Sequence, residues 1–176
     1  MTIADLRNTV ISLLIEYLGM PVVLSDQTSP VPPYPCGYYT IMTPYAPVGE
    51  MGSIAWTPNY DEGRTITTTR IEQPYAAFSF TFCSENRREG DSFVLGEDEA
   101  LAFAEKAQGF FLHVGYDILS NNGIVINQVT NVSNRTSLVV DEAARRYGFD
   151  VRLRYTRVDA RQDRTIGTVK IIERKD

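Results

Sequence analysis

Hydrophobic and polar residues alternate most regularly over residues 147–158. One set of alternate positions is aromatic or aliphatic, and the other set is polar or glycine. The apolar set is Tyr147, Phe149, Val151, Leu153 and Tyr155. Because successive side chains of a strand point to opposite faces of a sheet, this period of two predicts a strand with one face on a core and the other in water or against a partner. We interpret it as a central antiparallel strand.

A second alternating stretch, residues 74–84, predicts a neighbour for this strand. Three phenylalanines alternate there with small or polar residues, so that two aromatic faces form a common core. The three are Phe78, Phe80 and Phe82. Shorter apolar runs predict further strands at residues 38–43, 124–129 and 166–172, whereas residues 159–164 are predicted to be a charged hairpin connection. Together these segments predict a mixed or antiparallel sheet of about five or six strands.

Two other segments have helical periodicity. Residues 2–18 place apolar side chains on one stripe, with Thr2 as the predicted N-cap and Asp5 near the positive end of the helix dipole. Residues 97–119 continue the helical spacing, and Gly109 marks a predicted kink. The chain is therefore predicted to be an α+β protein. Its N-terminal helix and its central helical region pack on one face of the sheet, and a loop or ribbon protrudes.

Residues 44–63 are the strongest candidate for a partner-binding segment. They combine turn residues with apolar side chains that have no clean period, and long irregular segments in compact domains are usually functional. The threonine-rich residues 64–71 predict a β-ribbon with two wet faces, so residues 44–72 form the projecting part. The candidate subunit or partner interface is Tyr45, Met51, Ile54, Trp56 and Tyr60. An equally supported alternative is that Trp56 folds back on the sheet.

Composition and charge are those of one globular domain. The chain has 176 residues, of which 43% are hydrophobic and 22% are charged, enough to bury a core without metals or disulfides. The net charge of -5 disfavours a DNA-coating surface, which is normally basic. Cys36 and Cys83 lack metal-ligand spacing and are predicted to be buried thiols. Without a secretion signal or a membrane-spanning run, the protein is expected to be made in a cytoplasm.

The sequence predicts no catalysis, no cofactor and no bound metal. It has no phosphate-binding glycine loop, nucleophile elbow or zinc motif, and His113, the single histidine, has no ligand partner at helical spacing. The acidic run Glu97, Asp98 and Glu99 suits the positive end of a helix. A hydrolase with acidic pairs would need two carboxylates converging in one cleft. We therefore predict a protein that is not an enzyme.

Four features follow one another along the chain in an informative order. They are the N-terminal helix, the proline-rich residues 29–39, the strand 75–83 with the helix 100–119, and the closing residues 142–153. The closing residues read Glu-Ala-Ala-Arg-Arg-Tyr-Gly-Phe-Asp-Val-Arg-Leu. In this order, over nearly the whole chain, the features resemble the bacteriophage neck or tail terminator proteins.

The resemblance implies a virion structural protein of the neck or tail, with a single terminator-like domain over residues 1–176. Such a protein would cap the tail tube and join it to the head connector. It would assemble in the host cytoplasm as a ring, typically a hexamer, through which DNA passes without sequence-specific binding. Its partners would be further copies of itself, the tail tube protein and the connector or adaptor proteins, and no membrane would be involved.

Ring contacts join two different surfaces of the same chain, and the projecting residues 44–72 are the candidates for reaching the next subunit. The residues themselves leave a second hypothesis open. Trp56 and Tyr60 would also suit a monomeric module that binds a small ligand or a glycan by stacking on exposed aromatic rings. The ring hypothesis predicts an apolar patch that is buried only on assembly, and the module predicts a concave pocket.

Overall fold

The computed structural model of the protein describes residues 1–26, 30, 32–49, 51–59, 65–137 and 144–164. These residues form three α-helices, one π-helical turn and eleven strands in three sheets. Tyr60 and the strand predicted at residues 166–172 lie outside the described residues. The predicted α+β class, with helices at the N-terminus and in the centre of the chain, is confirmed.

The main sheet has six strands, and its central pair is the pair with the alternating sequence. The eleven strands are β1 (Val22–Leu24), β2 (Cys36–Ala46), β3 (Ser53–Asn59), β4 (Thr65–Glu72), β5 (Tyr75–Ser84), β6 (Arg87–Glu89), β7 (Ser92–Val94), β8 (Ile124–Val129), β9 (Ser133–Asn134), β10 (Arg145–Tyr155) and β11 (Arg157–Arg164). The main sheet has the order β1-β2-β5-β10-β8, and β9 also pairs with β10. Only the β1–β2 pair among these described strands is parallel, so the predicted mixed sheet is confirmed.

The core lies on one face of the main sheet, where the alternating aromatic residues of β5 and β10 meet. Phe80 and Phe149 are opposite each other in the register, are fully buried, and have ring centroids 5.8 Å apart. Phe111 packs on Phe80 from the helical side at 5.3 Å. Burial of a side chain of this size stabilises the fold by about 1.5–3 kcal/mol. The predicted one-sided strands are confirmed.

The N-terminal helix α1 (Ile3–Leu18) forms where the sequence predicts it. Thr2 and Asp5 make a reciprocal capping box, which satisfies backbone N–H groups that have no partner within the helix. Gly19 ends the helix in the left-handed conformation at a φ of 72°, which glycine adopts without strain. The buried stripe of α1 joins the core beside the phenylalanines and consists of Leu6, Val10, Ile11, Leu14 and Leu18.

The central helical region is divided into α2 (Gly96–Gly109), a π-helical turn (Phe110–Val114) and α3 (Tyr116–Asn121). The break follows Gly109, the position of the predicted kink. Phe110 and Phe111 are adjacent in sequence, yet both are buried, and the wider π turn brings both rings to the core side. Gly115 makes this packing feasible, because a Cβ there would lie 2.5 Å from the Phe110 ring.

A separate three-stranded ribbon, with the order β11-β4-β3, projects from the main sheet. The predicted threonine-rich ribbon strand is confirmed as β4, but two neighbouring predictions are wrong. The segment 44–63, predicted to be irregular, contains the end of β2 and all of β3, and the predicted hairpin connection 159–164 belongs to β11. The charged residues of this segment alternate along an exposed strand, where Arg161 pairs with Asp163 at 3.0 Å.

β6 and β7 form a small hairpin that is fastened to the start of α2. Arg87 donates two hydrogen bonds to the Glu99 carboxylate, at 2.6 and 2.9 Å. The hydrogen bond from Arg87 lowers the pKa of Glu99 below its usual value, and the Ser84 hydroxyl contributes in the same direction. The predicted acidic first turn is therefore confirmed, and one of its carboxylates also holds the hairpin.

Replacement of Gly148 by alanine is expected to destabilise the protein. A Cβ at Gly148 would lie 2.2 Å from the Phe80 carbonyl oxygen, and that oxygen cannot move without disturbing the central strand pair. We expect Gly148→Ala to lower the free energy of unfolding by about 1–3 kcal/mol in a denaturant titration. Gly109→Ala is the control, because its Cβ meets no atom within 4 Å and helix propensity favours alanine by about 1 kcal/mol. Equal stabilities of the two variants would contradict the close approach.

Replacement of Glu99 by glutamine is expected to make the stability less dependent on acid pH. Because the folded pKa of Glu99 lies below its usual value of 4.5, its stabilising contribution is present above that pH and is lost as pH falls through the folded pKa. Glu99→Gln should cost about 1 kcal/mol at pH 7, since the site is partly exposed. The difference from wild type should shrink below pH 4.5. Glu105→Gln, an exposed change on the same helix, is the control in denaturant titrations at both pH values.

Candidate assembly surface

The described residues contain no group of three or more histidine, cysteine, aspartate and glutamate side chains placed to hold a metal ion. His113 is exposed in the π turn. Cys36 and Cys83 are opposite each other in β2 and β5 and are both buried, as predicted, and burial raises the pKa of the Cys36 thiol. Nor does this part of the chain contain a helix long and apolar enough to cross a membrane. The exposed surfaces are therefore the features to consider.

The ribbon brings two of the five predicted interface residues together on one face. Ile54 and Trp56 are two residues apart in β3, so their side chains point the same way. Trp56 is 69% exposed, and the alternative that it folds back on the main sheet is wrong. Met51, just before β3, is 77% exposed. The structure does not describe Tyr60, the fifth predicted residue.

Across the ribbon, Trp56 is part of a row that ends in a positive charge. Trp56 is opposite Thr68 in β4, and Thr68 is opposite Arg161 in β11. Next to this row, a groove of about 340 Å³ is lined by apolar, small and charged residues. The groove is lined by Ile54, Thr68, Arg70, Asp159, Ala160 and Arg161. We call this side of the ribbon, with Ile54, Trp56, Arg70, Asp159 and Arg161, the Trp56 face.

The ribbon is attached to the body around one buried carboxylate, Glu72, which is 6% exposed. Arg70 pairs with the Glu72 Oε2 atom, and the Tyr45 hydroxyl donates to the same atom at 3.0 Å. Arg157 lies 3.7 Å from the Glu72 Oε1 atom and over the Tyr45 ring at 5.3 Å. Because the hydroxyl and ring of Tyr45 are engaged in this way, Tyr45 braces the ribbon within its own chain.

Arg70 also connects the start of the ribbon to its base. Its Nε atom donates to the Met51 carbonyl oxygen at 2.6 Å, immediately before β3 begins, and its Nη1 atom lies 3.5 Å from Asp159 on β11. The Arg70 guanidinium thus contacts the segment that precedes β3 and also the strand β11. Since the planar fork of an arginine holds its partners in fixed directions, these contacts fix where the Trp56 face points.

A second exposed apolar surface, which the sequence analysis missed, lies at the end of the helical region. Four large side chains on the π turn and α3 are exposed, and they flank Asp117. The four are Leu112, Val114, Tyr116 and Ile118, and together with Asp117 we call them the α3 patch. An uninterrupted helical period over residues 97–119 does not predict this surface, because the π turn at Phe110–Val114 changes the direction of the side chains. The adjacent pair Phe110 and Phe111, followed by Gly115, is the signal that could have revealed this shift.

The comparison with curated proteins finds no match. A family model described as phage neck terminator protein matches residues 8–175. The matched range includes the main sheet, the helical region and both exposed surfaces, so the resemblance inferred from the order of elements is confirmed. The chain therefore belongs to the phage neck terminator family.

Proposed function

We propose that this protein caps the phage tail tube and joins it to the head connector, as a ring of about six subunits around the DNA channel. Membership of the phage neck terminator family implies a structural, non-enzymatic role in the neck or tail of the virion. The ring forms in the host cytoplasm before or as the tail is completed. The tail tube protein and the connector or adaptor proteins bind its two opposite ends.

The observation that carries the proposal is the exposed Trp56 face at a fixed orientation to the body. A monomeric protein rarely leaves a tryptophan 69% exposed beside further large apolar residues, and exposed apolar patches usually mark contacts with partners. Tryptophan and arginine are also the residues most enriched in interface hot spots. Residues 44–72 thus serve as an arm of a single domain over residues 1–176, and the arm binds a neighbouring subunit.

Closed rings are consistent with the asymmetry of the chain. A ring contact places one surface of a subunit on a different surface of the next, and the ribbon lies outside the main sheet, where it can reach a neighbour. The net charge of -5 suits a channel through which DNA passes without being gripped.

The first experiment combines light scattering over a concentration series with electron microscopy of tail tubes. We expect a ring of about six subunits to form as concentration rises, and we expect the purified protein to cap tail tubes and stop their growth. The emission of Trp56, the single tryptophan of the chain, should shift to shorter wavelength as the ring forms and the indole is buried. Tubes that elongate equally with and without the protein would contradict the capping role, and a monomer that binds glycans would support the ligand-binding module.

Replacement of Trp56 by alanine is expected to abolish the ring. The change removes the largest exposed apolar side chain of the ribbon, and truncation of such an anchor typically costs about 2 kcal/mol or more of binding free energy. Phe93→Ala is a matched control, because Phe93 is also exposed but lies on β7, outside the ribbon. Light scattering should show rings for Phe93→Ala and monomers for Trp56→Ala. Normal rings from Trp56→Ala would remove the ribbon from the interface.

Replacement of Glu72 by glutamine is expected to weaken the ring without removing any exposed contact. Glutamine keeps the shape of the side chain but removes the charge that Arg70 and Arg157 share, so the orientation of the ribbon is less constrained. We expect the ring dissociation constant to rise about tenfold, which corresponds to about 1.4 kcal/mol. Glu89→Gln removes the same charge from an exposed ion pair and should leave assembly unchanged. Equal assembly of the two variants would refute the bracing role of Glu72.

A further inference from the structure

We propose that the Trp56 face of one subunit receives the α3 patch of the next subunit in the ring. The inference rests on the proposed ring function and names the two surfaces that form its repeating contact. In this contact Asp117 pairs with Arg161 of the adjacent copy, and the apolar residues beside Asp117 pack on Trp56 and Ile54. The occupant of the groove is thus a second copy of this chain.

The groove on the Trp56 face calls for an occupant that is apolar and carries a negative charge. Its lining combines two arginines and one carboxylate with apolar and small residues, and consists of Ile54, Thr68, Arg70, Asp159, Ala160 and Arg161. Arg70 is already held by Glu72. Arg161 is 74% exposed, and its partner Asp163 is also exposed. Such a surface ion pair contributes little stability by itself, so the Arg161 guanidinium is available to a second carboxylate.

The α3 patch offers these properties in one short segment. Asp117 lies between Tyr116 and Ile118 in the sequence, and all three are exposed. Leu112 and Val114 precede them by four residues each, about one helical turn, and extend the apolar surface on both sides of the carboxylate. The carboxylate of this segment can pair with Arg161, and its exposed apolar side chains can pack on Trp56 and Ile54.

The dimensions of the two surfaces also agree. Trp56 and Arg161 are separated by one intervening strand, which places their backbones about 10 Å apart. A helix with its side chains is about 10 Å wide. A helical segment lying across β4 therefore contacts Trp56 on one side while its carboxylate reaches Arg161 on the other.

The charges of the two elements are complementary beyond this one pair. The stretch from α2 to α3 contains five carboxylates and one lysine, whereas the three ribbon strands contain four arginines and three carboxylates. Complementary charge fixes the register of a contact and disfavours wrong pairings. Two acidic helical regions repel each other, whereas the ribbon strands have one more arginine than carboxylates, so the favoured pairing is ribbon on helix. Repetition of that pairing gives a head-to-tail arrangement, which forms a ring when the rotation from one subunit to the next closes.

Charge reversal tests the contact directly. We expect Arg161→Glu and Asp117→Arg each to raise the dissociation constant of the ring about tenfold or more, since each places two like charges in the contact. The double variant restores opposite charges, with the sign exchanged, and should assemble within about threefold of wild type, as expected for two residues in direct contact. Light scattering measures the mass, and Trp56 emission measures burial of the indole. Arg164→Glu is the control, because Arg164 is opposite Thr65, on the other side of the ribbon.

Three results would overturn the inference. They are single variants that assemble like wild type, a double variant that is no better than the worse single variant, and a wild-type protein that stays monomeric up to about 1 mM. In each case the capping of tail tubes is measured separately. If the wild-type protein still caps tubes, the inference fails and the capping role in the proposed function stands. If it does not cap them, the proposed function fails as well.

Discussion

The aromatic packing between β5 and β10 is the interaction on which the other features of the molecule depend. Phe80 and Phe149 are buried on the helical side of the main sheet, and the alternation of the strands sends the intervening residues to the opposite side. There Arg135 pairs with Asp150 at 2.7 Å and donates to Ser79 at 2.6 Å. The helices therefore cover one face, and the other face is polar. With the core complete on one side, no apolar face of the main sheet is left for Trp56 to cover.

The ribbon consists of strands that continue those of the main sheet after short interruptions. β4 leads into β5 through residues 73–74, and β10 leads into β11 through residue 156. The Tyr155 backbone N–H still donates to the Pro74 carbonyl oxygen at 3.2 Å, so the two crossings lie side by side. Because Glu72 is beside them with its two arginines, the direction of the ribbon is determined by polar contacts at this junction. The main sheet and its helices, in contrast, are held together by hydrophobic packing.

The sequence predicted the body of the molecule better than its exposed surfaces, and the reason is physical. Period-two alternation and a capping box are local patterns, so β5, β10 and α1 could be derived from neighbouring residues. β11 was missed because its alternating charges satisfy one another along an exposed strand and leave no apolar period. The role of Tyr45 depends on Glu72, twenty-seven residues away, and no local pattern predicts such a contact. The α3 patch was missed because one π turn changes the period on which the helical prediction relied.

A ribbon that exposes a tryptophan before assembly risks association in wrong arrangements, and its edges carry features that oppose this. The outer strand β11 alternates arginine with aspartate, and Arg157 and Asp159 are paired at 3.2 Å. Charges along an edge strand disfavour its pairing with another strand. On the opposite edge, Pro58 in β3 lacks the N–H group that a further strand would need. Association through the edges is thus disfavoured while the face remains exposed, so that contact through the Trp56 face is selected over extension of the sheet.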